Sequence, residues 1–160
     1  MSCNFNCNRK NGSDVNDFIT LVPGGTAADA TYIVGLTHYT CGNKKMLTAD
    51  TLHPVKAELT ATPVGTPIDL GDGNYLQECV FSGTVTYKPC GSCKPEEEYI
   101  TYRDYLPCSA ATSPTLTVGT VVASPKPITY YVSNGCGCCQ QTKPCTNQIA
   151  ITTSVNVTTA

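Results

Sequence analysis

Residues 149–157 read Ile-Ala-Ile-Thr-Thr-Ser-Val-Asn-Val, the stretch of the chain with the clearest period of two. In an extended strand successive side chains point to opposite faces, so one face carries Ile149, Ile151, Val155 and Val157. The other face carries Ala150, Thr152, Ser154 and Asn156. Alternation of β-branched apolar residues with polar ones predicts a half-buried strand whose apolar face lies on a core.

Further β-rich runs precede this strand, and they are separated by breaks that contain Pro, Gly or Asn-Gly. They lie at 18–22, 31–40, 55–61, 79–87, 99–105, 116–123 and 128–133. About eight strands with turn signals at this spacing predict an all-β protein, a jelly-roll-like β-sandwich. A helix over 50–59, capped by Asp50, is the one helical alternative, but the strict alternation of 55–61 favours a strand.

The first sixteen residues differ from the rest of the chain. They are rich in Asn and contain Cys3, Cys7 and a basic pair, with little apolar surface to bury. Such a segment does not offset the entropy cost of ordering by itself. We therefore expect a flexible N-terminal arm at 1–16, which orders on a partner, and a single sandwich domain with Pro/Cys-rich loops at 17–160.

Composition excludes several classes of protein. The 160 residues carry a formal net charge of −2, and only 14% of them are charged. This balance excludes an electrostatic nucleic-acid binder. No apolar run reaches the length of a membrane helix, so we expect no membrane insertion. The N-terminus lacks the apolar stretch of a signal peptide, so we expect a chain made in the cytosol that becomes extracellular or spore-surface when the maker cell lyses.

The cysteine content is the strongest signal in the composition. Eleven cysteines in a chain of this size are typical of disulfides in an oxidising environment. The number is odd, so at least one thiol stays free or bonds to another molecule. Candidates for disulfides are Cys41, Cys79, Cys90, Cys93, Cys108, Cys136 and Cys145.

Four further cysteines are candidates for bonds between chains. Cys3 and Cys7 lie in the arm, whose extended length of ~3.3–3.6 Å per residue lets their sulfurs reach a distant partner. Cys138 and Cys139 are adjacent, and a disulfide between neighbours is strained, so two adjacent thiols normally bond to two different partners. These four residues are therefore predicted to cross-link.

A zinc site is the alternative use of the cysteines. Cys90 and Cys93 form one CxxC pair, and Cys136 and Cys139 form another, so four thiolates could surround one ion. The spacer between the pairs is longer than the ~15–20 residues of ribbon-type sites, and seven cysteines would remain unexplained. Turns held by disulfides are therefore preferred, and no metal or other cofactor is predicted.

Signals for catalysis are absent from the sequence. His38 and His53 are the only histidines, and no GxSxG or HExxH motif accompanies them. Both are interpreted as structural or surface residues. The acidic run at 96–98 is interpreted as a solvated loop. We therefore expect a protein that is not an enzyme.

A Thr-rich β-sandwich with a cysteine-bearing arm and no signal peptide resembles the endospore appendage subunits of spore-forming bacteria. The resemblance implies a jelly-roll subunit that stacks into a fibre, with Cys3 and Cys7 as connector cysteines bonded to neighbouring subunits. Connectors of that family often carry an adjacent cysteine pair, whereas here the pair is at Cys138 and Cys139. Cysteine-rich spore-surface lattice proteins share the same general features.

These observations predict a structural subunit that binds further copies of itself. We expect a disulfide-cross-linked extracellular fibre or surface lattice, on spores. The alternatives are the zinc-binding module described above and a phage particle or decoration protein.

Overall fold

The structure is a computed structural model that describes residues 13–22, 29–110, 114–128 and 145–159. Within these ranges the chain forms ten β-strands and one short 3₁₀ helix at Cys41–Asn43. The strands are β1 Ser13–Leu21, β2 Asp29–Tyr39, β3 Met46–Leu47, β4 Lys56–Pro63, β5 Ile68–Gly71, β6 Asn74–Tyr87, β7 Glu96–Ser109, β8 Leu116–Pro127, β9 Cys145–Thr146 and β10 Gln148–Thr159.

Two antiparallel sheets face each other across the core. The first has the order β1-β2-β10-β8. In the second, β6 is central, with β7 along one side and β4 and β5 along the other. The short strands β3 and β9 form a separate pair. The prediction of an all-β sandwich is confirmed, whereas this strand order does not establish the jelly-roll detail.

The core forms where the inward faces of the two sheets meet. Ile149, Ile151, Val155 and Val157 of β10 are at most 2% exposed, which confirms the predicted face. In the second sheet the rings of Phe81 and Tyr102 stack with their centroids 4.9 Å apart. Burial of this apolar surface supplies the main driving force for folding.

Local turn chemistry agrees with the predicted breaks. Gly71 pairs with Asn74 across the β5–β6 hairpin, and Asp72 and Gly73 between them have φ of +55° and +78°. Two positive φ values in a two-residue loop are typical of Asp-Gly hairpins. At the predicted helical alternative, the Asp50 carboxylate instead accepts the backbone N–H groups of Leu52 and His53. This closes a local turn, and strand β4 follows it.

One predicted boundary differs from the structure. Strand β1 begins at Ser13, so residues 13–16 belong to the sandwich rather than to the arm. The reason is that Asp14 faces inward beside the buried His38. Residues 1–12 lie outside the described residues, as does all of the predicted strand at 128–133 except Ile128.

The acidic run was also wrongly interpreted as a loop. Residues 96–98 begin strand β7, and Glu98 is 1% exposed. Glu98 shares the inward face with Ile100 and Tyr102, because residues two apart in a strand share a face. Its carboxylate is buried because three hydrogen-bond donors surround it, as described below.

The backbones of β4 and β6 lie close together at Gly83. A Cβ added at Gly83 would lie 1.8 Å from the carbonyl oxygen of Glu58, which is backbone and cannot rotate away. We expect Gly83→Ala to lower the free energy of unfolding by about 1–3 kcal/mol, the usual cost of overpacking. Urea denaturation measures this change.

Gly119→Ala is the matched control for this substitution. The atom nearest to a Cβ there is the side-chain Oδ1 of Asn156, at 3.0 Å, and that side chain can rotate. Gly119 is exposed, so we expect a change within ~0.5 kcal/mol. Equal loss of stability in both variants would show that the β4–β6 approach is not tight.

Candidate functional site

Disulfide-bonded cysteines gather near one end of the sandwich. Cys41, Cys90 and Cys145 are each disulfide-bonded. Cys41 begins the 3₁₀ helix, and Cys145 lies in β9 opposite Leu47 of β3. The backbone N–H of Cys90 donates to the carbonyl of Lys45 over 2.7 Å. The segment 41–47 therefore brings these three cysteines into one region of the fold.

Cys79 and Cys108 do not form the disulfides that were expected of them. Both are free thiols, and neither faces a cysteine across the β6–β7 ladder: Cys79 pairs with Asp104, and Cys108 pairs with Tyr75. Burial, together with the charge of Asp104, raises the pKa of Cys79 to about 11. Because the thiolate is the reactive form, Cys79 is an inert core residue.

Cys93 is free as well, but it is exposed. Gly91, with φ of +88°, and Ser92 lie between it and Cys90. The Ser92 hydroxyl donates to the carbonyl of Lys94 and accepts from the Lys94 N–H, which closes the turn. This CxxC segment therefore combines one oxidised sulfur with one accessible thiol.

The alternative zinc site loses one of its four ligands. The sulfur of Cys90 is in a disulfide, so it is not a thiolate donor in this state. Within the described residues no group of three or more His, Cys, Asp or Glu side chains is placed to hold a metal ion. Cys3, Cys7, Cys136, Cys138 and Cys139 lie outside the described residues.

A buried cluster of charged side chains joins the two sheets beside Cys41. His38 of β2 is fully buried, and its Nδ1 lies 2.7 Å from Oδ1 of Asp14 in β1. Its Nε2 lies 2.8 Å from Oε1 of Glu98 in β7. We call Asp14, His38 and Glu98 the clasp, because these three side chains connect an edge strand of one sheet to the opposite sheet.

The clasp has further hydrogen bonds at both ends. Oδ2 of Asp14 accepts the backbone N–H of Thr101 in β7 over 3.1 Å. Oε2 of Glu98 accepts the hydroxyl of Tyr87 over 2.6 Å, and both carboxylate oxygens lie 3.2 Å from the backbone nitrogen of Cys41. Buried charges are tolerated when they are paired and hydrogen-bonded in this way.

Electrostatics set the charge state of the clasp. Burial lowers the pKa of His38, but the hydrogen bonds and negative charges of Asp14 and Glu98 outweigh burial and raise this pKa to about 9. His38 is therefore an imidazolium at neutral pH. Burial, followed by the hydrogen bond to Glu98, strongly raises the pKa of the Tyr87 hydroxyl, so that Tyr87 remains a donor.

The geometry of the clasp fits a structural role. Both ring nitrogens of His38 are occupied by carboxylates, and the ring has no exposed surface. General acid–base catalysis requires a group within hydrogen-bond reach of a substrate, which this ring does not offer. His53 lies at the surface, with Nδ1 3.5 Å from Oδ2 of Asp50.

Sequence reasoning interpreted His38 as structural but did not find its partners. Asp14 had been assigned to the arm, and Glu98 to a solvated loop. The period-two placement of Glu98, Ile100 and Tyr102 was the one available signal for an inward-facing Glu98. The pairing of Asp14 with His38, 24 residues along the chain, depends on the β1–β2 register, which the residue pattern does not specify.

Fold and site together define a disulfide-bonded β-sandwich with a buried charged clasp. Comparisons with protein-family models, with curated proteins and with solved structures found no match for this chain. Among the described residues, no helix is long and apolar enough to span a membrane.

Proposed function

We propose that this protein is a structural subunit that assembles with copies of itself into a disulfide-cross-linked extracellular fibre or surface lattice, on spores. The observation that carries the proposal is the mixture of oxidised and accessible sulfur in one region. Cys41, Cys90 and Cys145 are disulfide-bonded, whereas Cys93, three residues after Cys90, is an exposed free thiol. Such a body is suited to an oxidising environment and offers a sulfur to another chain.

Exposed apolar side chains supply a non-covalent contact surface for this assembly. On the outer face of the first sheet, Val15 and Phe18 of β1 are 48% and 49% exposed, and Val122 of β8, at the opposite edge, is 53% exposed. Tyr99 and Tyr105 are exposed on the outer face of β7. Groups of exposed apolar residues on a folded domain are typical of interaction surfaces.

Strand β8 adds an uncharged surface for contact with another chain. It is an outer strand of its sheet, and residues 116–124 contain no charged side chain. Sheet edges in soluble proteins are usually protected by charges or by proline. Here Pro125, Lys126 and Pro127 protect only one end of the strand. Because β4 of the opposite sheet lies close beside β8, these uncharged residues support lateral side-chain contact between subunits.

The test compares unreduced with reduced native protein on denaturing gels, after thiols are blocked at lysis. We expect high-mass species that fall to monomers only when reductant is added. In the variant Cys3→Ser with Cys7→Ser, denaturant alone should release most of the polymer as monomers. The matched control is Asn4→Ser with Asn8→Ser, which changes the arm equally but keeps its thiols and should stay resistant. Monomers in every unreduced lane would contradict the proposal.

A further inference from the structure

Strand β1 contributes little to the core that it borders. Of the β1 side chains that the structure describes, Asp14 and Ile19 face inward, and Ile19 is only partly buried. The fully buried members of both core clusters come from other strands. Val15 and Phe18 are half-exposed on the outer face. The core therefore depends only weakly on β1, which is held by its ladder with β2, by Asp14 and by the Phe18 ring, which lies over Gly35 of β2.

We call the place that β1 occupies the slot. It consists of the backbone edge of β2 and of hydrogen-bond donors that favour an acidic side chain. Its edge is the backbone of β2, which pairs with β1 from Ser13–Tyr39 to Leu21–Tyr32. Two hydrogen-bond donors face the slot. One is Nδ1 of His38, whose other ring nitrogen, Nε2, is paired with Glu98, and the second is the backbone N–H of Thr101 in β7. An imidazolium beside a backbone N–H is complementary to a carboxylate. The slot therefore accepts a strand that carries an acidic side chain at this register position.

We propose that this slot is an interaction surface for the first strand of a second copy of the chain, so that β1 exchanges between subunits. A strand from another copy makes the same ladder and the same Asp14 contacts, so exchange loses no contact within the slot. Exchange of an identical element between protomers is a low-cost route to association. The clasp makes the slot selective for a first strand that carries Asp14. A strand without this carboxylate leaves the buried His38 paired with Glu98 alone.

This inference goes beyond the proposed cross-linked assembly and does not depend on any disulfide between chains. The titratable groups around His38 are Asp14 from β1, Glu98 from β7 and, through Glu98, Tyr87 from β6. Deprotonation of His38 removes the charge that holds Asp14. In the wild type a brief incubation at pH 10 should therefore weaken the hold on β1 and speed exchange, which return to pH 7 then slows.

The experiment uses two full-length variants with complementary defects. Asp14→Asn has an intact slot but an uncharged first strand, whereas His38→Gln has an intact first strand but a defective slot. The Asp14→Asn chain is labelled with ¹⁵N, the His38→Gln chain is unlabelled, and the two are mixed at pH 7, where neither chain by itself has the Asp14–His38 ion pair that holds its first strand. The chain has only two histidines, so the labelled ring N–H signals of His38 are read beside those of His53.

Exchange predicts that wild-type His38 signals appear in the labelled chain, because the unlabelled chain supplies Asp14. An unlabelled chain with both substitutions is the matched control and should restore nothing. His38 signals that stay unchanged after mixing with the His38→Gln chain would overturn the proposal. The same mixture tested with Cys3 and Cys7 replaced by Ser should still show exchange, which separates this inference from the proposed cross-links.

A second measurement applies where the Asp14→Asn chain does not fold alone. It is then refolded in the presence of the His38→Gln chain or of the doubly substituted chain. Recovery of soluble labelled protein only with the His38→Gln chain supports exchange. Equal recovery with both chains, or recovery with neither, overturns it.

Discussion

Replacement of Ile151 by aspartate is expected to unfold the sandwich. Ile151 is 1% exposed on β10, an inner strand of its sheet, where its register partners are Leu36 and Pro125. The aspartate would be an unpaired charge in an apolar cluster, which costs several kcal/mol. Native domains are stable by only ~5–15 kcal/mol, so this cost removes a large part of the total.

Thr152→Asp is the matched control for this prediction. Thr152 is the next residue on the same strand and is exposed on the outer face, so the charge remains in water. We expect a change below ~1 kcal/mol there. Thermal melts and circular dichroism with disulfides intact measure both variants. Similar stability of the two would refute the assignment of the inward face, and damage at Thr152 alone would mean that the register is inverted.

The second large effect concerns pH. Folding raises the pKa of His38 from 6.5 to about 9, so the folded chain holds this proton more tightly than the unfolded chain does. The resulting stabilisation is fully present below pH 6.5 and is lost as the pH rises through 9. A shift of this size corresponds to a loss on the order of 3 kcal/mol.

Urea denaturation between pH 6 and pH 10 tests this dependence. The free energy of unfolding of the wild type should fall steadily over the window, whereas His38→Gln should be less stable at pH 6 and change little up to pH 8. Above pH 8 the raised pKa of the buried Cys79 thiol lowers the stability of both chains alike. His53→Gln is the matched control and should follow the wild type, because His53 lies outside the clasp. A wild type with constant stability across the window would contradict an imidazolium at His38.

Much of the fold could be predicted from residue patterns because half-buried strands alternate. The inward residues of β10 and the Asp-Gly hairpin before β6 are set by neighbours in sequence, so local rules identify them. The clasp could not be predicted in this way. Asp14 and Glu98 meet His38 only after the β1–β2 register and the approach of β7 are established.

For the cysteines, too, composition predicted one part of the outcome, and strand register determined the other. Their number predicted disulfides in general, and Cys41, Cys90 and Cys145 are oxidised. That Cys79 is a free core thiol follows from its position on the inward face of β6, opposite Asp104. This position depends on the β6–β7 register over a whole hairpin, and the spacing of cysteines carries no such information.

The central claim is that disulfides join different copies of this chain through the N-terminal arm. The most direct measurement is a disulfide map of native polymer assembled from equal amounts of ¹⁵N-labelled and unlabelled protein. We predict that the peptide containing Cys3 or Cys7 is bonded to a peptide from the sandwich, with both isotopes present in one linked pair. Linked peptides that always share one isotope, or Cys3 and Cys7 as free thiols in intact polymer, would contradict the account.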